Sequence, residues 1–194
     1  LRSDGDAVDA SLAAELRLAA KLDEFDKVVA RVEAGSGQGL DGNVPTISGL
    51  NDSADDDAAL RLTELWYQRR FLADRLALVV GKIDLTGACG HHENAFDANA
   101  AANDACLQFL SSAFVNNIAV DWPDDNGPAL ALWAYPHDLL HAGIAVADAD
   151  GDWNDVADHT FLMLQLEFRP KLADLQGNYR VYGWINNKDH PTVR

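Results

Sequence analysis

SLAAELRLAAKL, residues 11–22, sorts its side chains by parity. Leu12, Ala14, Leu16, Leu18, Ala20 and Leu22 fall on one side, and Ser11, Ala13, Glu15, Arg17, Ala19 and Lys21 on the other. A strand points successive side chains to opposite faces, so one face here is wholly apolar and the other largely polar. A helix of the same residues would gather Leu12, Glu15 and Leu16 and scatter the rest. After the short turn Asp23–Asp26 the code resumes, with Val28, Ala30, Val32 and Ala34 opposite Lys27, Arg31 and Glu33. These two segments read as an antiparallel hairpin.

The same rhythm runs outward along the chain. A second hairpin is expected over Leu60–Leu72 and Leu76–Thr86, around a turn at Ala73–Arg75. It sets Leu65 and Tyr67 against Glu64, Trp66 and Gln68, while Leu76–Val80 alternates too poorly for its faces to be assigned. A third covers Ala129–Tyr135 and Leu139–Asp148 and is mostly small and apolar. A fourth covers Thr160–Arg169 and Tyr179–Asn187. In it Leu162, Leu164, Leu166 and Phe168 oppose Met163, Gln165, Glu167 and Arg169, and Tyr179, Val181 and Ile185 oppose Arg180, Tyr182, Trp184 and Asn186. Short helical turns are expected only at Gln108–Asn116 and Trp153–Asp158. Short turns thus alternate with long polar connections at 36–58, 87–128 and 149–159, as in up-and-down antiparallel sheets with unequal ends. Alternation alone fits both a membrane barrel and a soluble β-sandwich binding carbohydrate or calcium.

Composition narrows the class. No apolar run approaches the roughly 20 residues of a spanning helix, whereas barrel strands need only about 9–11 with every second residue apolar. The net charge of −16 argues against nucleic acid as a partner, since phosphate binding needs clustered Lys and Arg. Acids crowd the loops, at Asp52–Asp57, Asp121–Asn126 and Asp148–Asp158. Cys89 and Cys106 share the longest loop and suggest a disulfide in an oxidising compartment. No HExxH, GxSxG, P-loop or dinucleotide fingerprint is present, so no enzyme reading is expected. No cofactor is expected either, and no metal motif; His91-His92 is an isolated pair. Asp148-Ala149-Asp150-Gly151-Asp152 brings its glycine too early for an EF-hand and leaves room only for a calcium site of another kind.

Five segments in order carry a resemblance. They are VGKID (80–84), FDANAAAND (96–104), QFLSSAFVNN (108–117), GIAVADADGD (143–152) and YRVYGWINN (179–187), preceded by TELWYQ at 63–68. From about Leu12 to Asn187 the chain resembles the carbohydrate-selective porins of the OprB family. The resemblance implies an antiparallel up-and-down transmembrane β-barrel of about sixteen strands in the bacterial outer membrane, of which about eight would lie here. It implies passive diffusion of small carbohydrates, with a general or ion-conducting porin as the alternative. Its partners would be small sugars and outer-membrane lipid, and a homotrimer is a compatible assembly.

Three departures accompany it: about half the strands, a C-terminus ending Thr192-Val193-Arg194 without an aromatic residue, and the Cys89-Gly90-His91-His92 insertion. A start at Leu1 and an end just after Asn186–Pro191 lead us to expect one porin domain, 1–194, as a partial chain with its long loop at 87–128. In such a channel the polar parity would face water. The expected lining is Glu15, Arg17, Arg31, Glu33, Glu64, Glu167, Arg169 and Arg180; Lys82 and Asp84, at a strand end, would bound the constriction or pair with each other, and Asn103 and Asp104 would come from a loop folded into the lumen. Trp66 and Trp184 fall on the polar parity and are the candidates for stacking on a sugar ring.

Overall fold

In the computed structural model the described residues are 12–36, 59–86, 96, 117, 119–156, 158–173 and 175–188. Eight strands form one antiparallel sheet in near-sequential order. They are β1 (Leu12–Lys21), β2 (Asp26–Ser36), β3 (Leu60–Phe71), β4 (Leu76–Ile83), β5 (Gly127–His137), β6 (Leu140–Asp148), β7 (Thr160–Phe168) and β10 (Tyr179–Asn186). Their 8–12 residues match the span of a tilted membrane strand. Each strand pairs with its neighbours in sequence, and β10 returns onto β7. Among the described residues β1 and β10 each have a single neighbour, so the sheet is open.

A minor element was not anticipated. Lys171–Leu172 (β8) and Leu175–Gln176 (β9) make a small separate hairpin between β7 and β10. Two residues a side give too little alternation to read from sequence. At the expected helical turn Trp153–Asp158 the described residues form bends and a hydrogen-bonded turn, with the Asp158 N–H donating to the Asp155 carbonyl at 3.0 Å. The one expected at Gln108–Asn116 lies outside the described residues.

The short turns lie at one end of the sheet. At the first, Asp23 Oδ1 accepts the Phe25 and Asp26 N–H groups, both at 2.7 Å, so one side chain satisfies two backbone donors. The second turn holds Leu72, Ala73 and Asp74 at φ of 54°, 53° and 66°. Turns are tied to one another: Arg70 N–H donates to Phe25 O at 3.0 Å, Tyr135 N–H to Arg75 O at 2.8 Å and Arg169 N–H to Leu139 O at 2.9 Å.

Burial is inverted relative to a water-soluble protein. Leu16, Leu65, Leu130, Ile144, Leu164, Leu166, Val181 and Ile185 are exposed on one face, whereas Arg31, Glu64, Gln68, Gln165 and Glu167 are buried on the other. A soluble sandwich would bury the leucine face between two sheets. That alternative fails here, since the leucines form the outer surface of a single sheet.

β4 is where parity was unreadable, and the structure gives the reason. Ala77, Val79 and Ile83 point to the covered face and Val80 to the outer one, so both faces of β4 are apolar. Between them Gly81 sits at φ 140°, where a Cβ would lie 2.2 Å from the Leu65 carbonyl oxygen.

The covered face has an apolar floor across β4–β7. Ala77, Val79, Ala129, Ala131, Ala145, Ala147, Phe161 and Met163 form it, and Trp133 lies against Gly143, its register partner on β6. Described residues of the β4–β5 connection pack on this floor. Phe96 packs tilted on Trp133 with ring centroids 4.6 Å apart, and Trp122 approaches Phe161 at 5.9 Å. Small floor residues leave room for these rings, so this stretch of the inner face is dry although the strands beside it are polar.

Candidate pore-lining face

Two charged clusters flank the apolar floor. On one side, register sets Arg17, Arg31 and Glu64 in one row across β1, β2 and β3, with Glu15 opposite Glu33 in the next. A bulge between Arg31 and Val32 shifts the β2–β3 pairing there. The Arg31 guanidinium is within 3.0 Å of Glu15, 2.5 Å of Glu33, 3.1 Å of Glu64 and 4.0 Å of Asp84. One cation therefore faces four carboxylates. Glu64 also accepts the Trp66 indole N–H at 2.8 Å. Asp84 is fixed by the Thr86 N–H and hydroxyl at 2.9 and 2.7 Å. A planar guanidinium with five donors suits such a ring of carboxylates better than a lysine would.

On the opposite flank the signs reverse. Glu167, 2% exposed, accepts from Arg180 Nε at 2.7 Å and lies 2.6 Å from Arg169 Nη2. His141 Nδ1 is 3.4 Å from the same carboxylate and stands edge-on to Tyr135. Arg180, Glu167 and His141 occupy one register row across β10, β7 and β6. The covered face is thus rich in carboxylate at β1–β4 and in cationic groups at β6–β10.

Described residues between β4 and β5 bond to both flanks. Asn126 Nδ2 donates to the Thr63 carbonyl on β3 at 3.1 Å, Asn186 Nδ2 donates to the Asp121 carbonyl at 3.0 Å, and Asn117 bonds Tyr182 Oη. Lys188 holds Asp124 at 2.6 Å.

The structure gathers Glu15, Arg31, Glu33, Glu64 and Asp84 into one cluster and Glu167, Arg169 and Arg180 into the other. Arg17 stays exposed beside its register partner Arg31 on the edge strand. Lys82 requires correction. It stands opposite Leu65 and Pro128 on the outer row, because Gly81 and Ile83 take the inner positions of β4. Its place at the strand end lets the ammonium reach past the apolar row.

Trp66 is also corrected as a stacking platform. It is 2% exposed and carries the Lys27 ammonium 5.1 Å from its ring centroid, so its face is already occupied. Trp184 keeps 37% of its surface, on the covered-face parity opposite Met163. Asn103, Asp104, Cys89 and Cys106 lie outside the described residues. Sequence reading missed His141. The available signal was parity with Gly143, Ala145 and Ala147, which line the inner side of β6.

Comparison with known proteins agrees with this geometry. No curated protein sequence matches the chain. Among solved structures, the high-pH structure of Pseudomonas putida OprB is similar, with a TM-score of 0.64 at 15% identity. The match covers 91% of this chain and 46% of that one, so the chain spans less than half the length of that porin. The sequence matches the family described as carbohydrate-selective porin, OprB family, over residues 3–194, and the chain belongs to that family.

Proposed function

We propose that this chain forms part of the wall of an outer-membrane channel through which small carbohydrates diffuse passively. The observation that carries the reading is the inverted burial: ion-paired polar groups on the covered face and bare leucines on the outer one. Hydrocarbon tolerates the second and rejects the first, because an unsatisfied polar group there costs several kcal/mol. Family membership speaks for a channel rather than an enzyme. Small sugars and outer-membrane lipid are the partners this reading implies, with a homotrimer as a compatible assembly.

In this reading a solute passes between carboxylates held by Arg31 and guanidinium groups held by Glu167. Both offer fixed hydrogen bonds to hydroxyl groups, and fixed groups need little reorganisation as each solute arrives. Trp184 supplies an apolar ring for the weakly polar face of a pyranose. The opposed clusters also favour a second reading, a general pore for small polar or charged solutes, because mixed charge does not single out sugars.

Single-channel conductance with maltodextrins separates the two. Interruption of the current by sugar, weakened in Trp184→Ala, supports the carbohydrate channel. A current indifferent to sugar leaves only the general pore, and a protein that conducts nothing defeats both.

A further inference from the structure

We propose that the loop after β6 binds a calcium ion through Asp148, Asp150 and Asp152. Asp148 ends β6 and pairs with Thr160 of β7. It is 2% exposed, and neither carboxylate oxygen accepts a hydrogen bond. The neighbouring Asp152 N–H lies 3.5 Å from Asp150 Oδ1, at the limit of a hydrogen bond. A buried carboxylate without a partner is costly, and such groups are normally paired or coordinate a metal.

Carboxylate oxygens of Asp148, Asp150 and Asp152 lie within 4.8 Å of one another. Two oxygens sharing one Ca²⁺ at about 2.3–2.6 Å each can be no farther apart than about 5 Å. The three side chains are therefore already gathered to the span of one ion.

The loop is braced for this. Gly151 has φ 79°, and a Cβ there would meet the Asp125 carbonyl oxygen at 2.8 Å. Asp124 N–H donates to Ala149 O at 3.0 Å, and Ala149 N–H donates to His159 O at 3.1 Å. His159 Nδ1 lies 3.3 Å from Asp150 and 3.1 Å from Asp158, orienting Asp150 from the far side. Three hard oxygen donors with no thiolate favour calcium over zinc or copper, and a loop of this kind does not impose the rigid octahedron that Mg²⁺ demands. Filling the site would fasten the end of β6 to the loop that packs on residues 124–127.

The test is calorimetric titration of calcium chloride into the EDTA-treated, detergent-folded protein. One saturable site is expected, with a dissociation constant of about 10⁻⁴–10⁻³ M, the range of extracellular calcium modules. Asp148→Asn and Asp152→Asn each weaken binding at least about ten-fold, because affinity follows ligand charge, while Asp138→Asn, in the turn at the other end of β6, changes it less than about two-fold. Should Asp148→Asn fail to fold, the exposed Asp152 variant carries the comparison. A wild-type protein with no saturable site, or Asp148 and Asp152 variants that titrate like wild type, overturns the proposal. The site does not rest on the pore reading: conductance unaffected by sugar with intact calcium binding counts against the sugar channel alone.

Discussion

Replacing Leu164 with arginine separates a lipid-facing sheet from a water-facing one. Leu164 is the fifth of nine residues in β7 and is 50% exposed. Its register partners are Ile144 on β6 and Gly183 on β10, where a Cβ would meet nothing within 4 Å. No polar side chain stands across from it. At about 3.4 Å per residue each end of β7 is about 14 Å away along the strand, or about 10 Å in depth at a tilt near 40°. A guanidinium placed there must enter hydrocarbon or thin the bilayer around it.

Arginine at the midplane of an outer-membrane barrel costs about 2–4 kcal/mol, which is about thirty-fold to several hundred-fold in the ratio of folded to unfolded protein. Phe168, the last residue of β7, lies near the short-turn end, and the same substitution there should cost about 0–1 kcal/mol. On a water-exposed surface both changes would fall within about 0.5 kcal/mol of wild type. The assay is urea unfolding of protein refolded into phosphatidylcholine vesicles, followed by tryptophan fluorescence and heat-modifiable gel migration. Equal, near-zero costs at Leu164 and Phe168 would refute the assignment of the outer face to lipid.

Two further outcomes follow from local geometry. Gly81→Ala should destabilise by at least about 1–3 kcal/mol, the cost of holding a side chain in a region reserved for glycine, since its Cβ would also lie 2.2 Å from the Leu65 carbonyl; an unfolding midpoint equal to wild type in the same urea assay would contradict this. The N–H groups of Phe25 and Asp26 hold the Asp23 carboxyl below its usual range. Its stabilising contribution is therefore full above the ordinary aspartate value of about 3.9 and is lost as pH falls through the lower folded value. Thermal unfolding followed from about pH 5 to about pH 2 should fall less steeply in Asp23→Asn than in wild type, and parallel curves would remove Asp23 from the acid limb.

The parity of residues 12–22 and 160–169 was enough to divide outer side from inner side, because a strand has only two faces and the chain writes them alternately. Turn chemistry at Asp23 and the contrast of short with long connections were legible for the same local reason. Grouping was not. Nothing in sequence says that Glu15, Glu33, Glu64 and Asp84, from four strands or strand ends, converge on one guanidinium, since that depends on register, and register is set by pairing across the sheet.

Three further facts belonged to the tertiary structure alone. Lys82 turned outward because Gly81 and Ile83 hold the inner row of β4. β4 had unreadable faces because Phe96 and Trp122 cover its sheet on the inner side, so apolar residues stand on both sides, exposed on one and packed under these rings on the other. Asp148 looked like one acid among many in a polar loop and is in fact buried, because the loop folds back over the end of β6. Alternation specifies which way a side chain points. What it meets there is decided by segments distant in sequence, and only the folded chain brings them together.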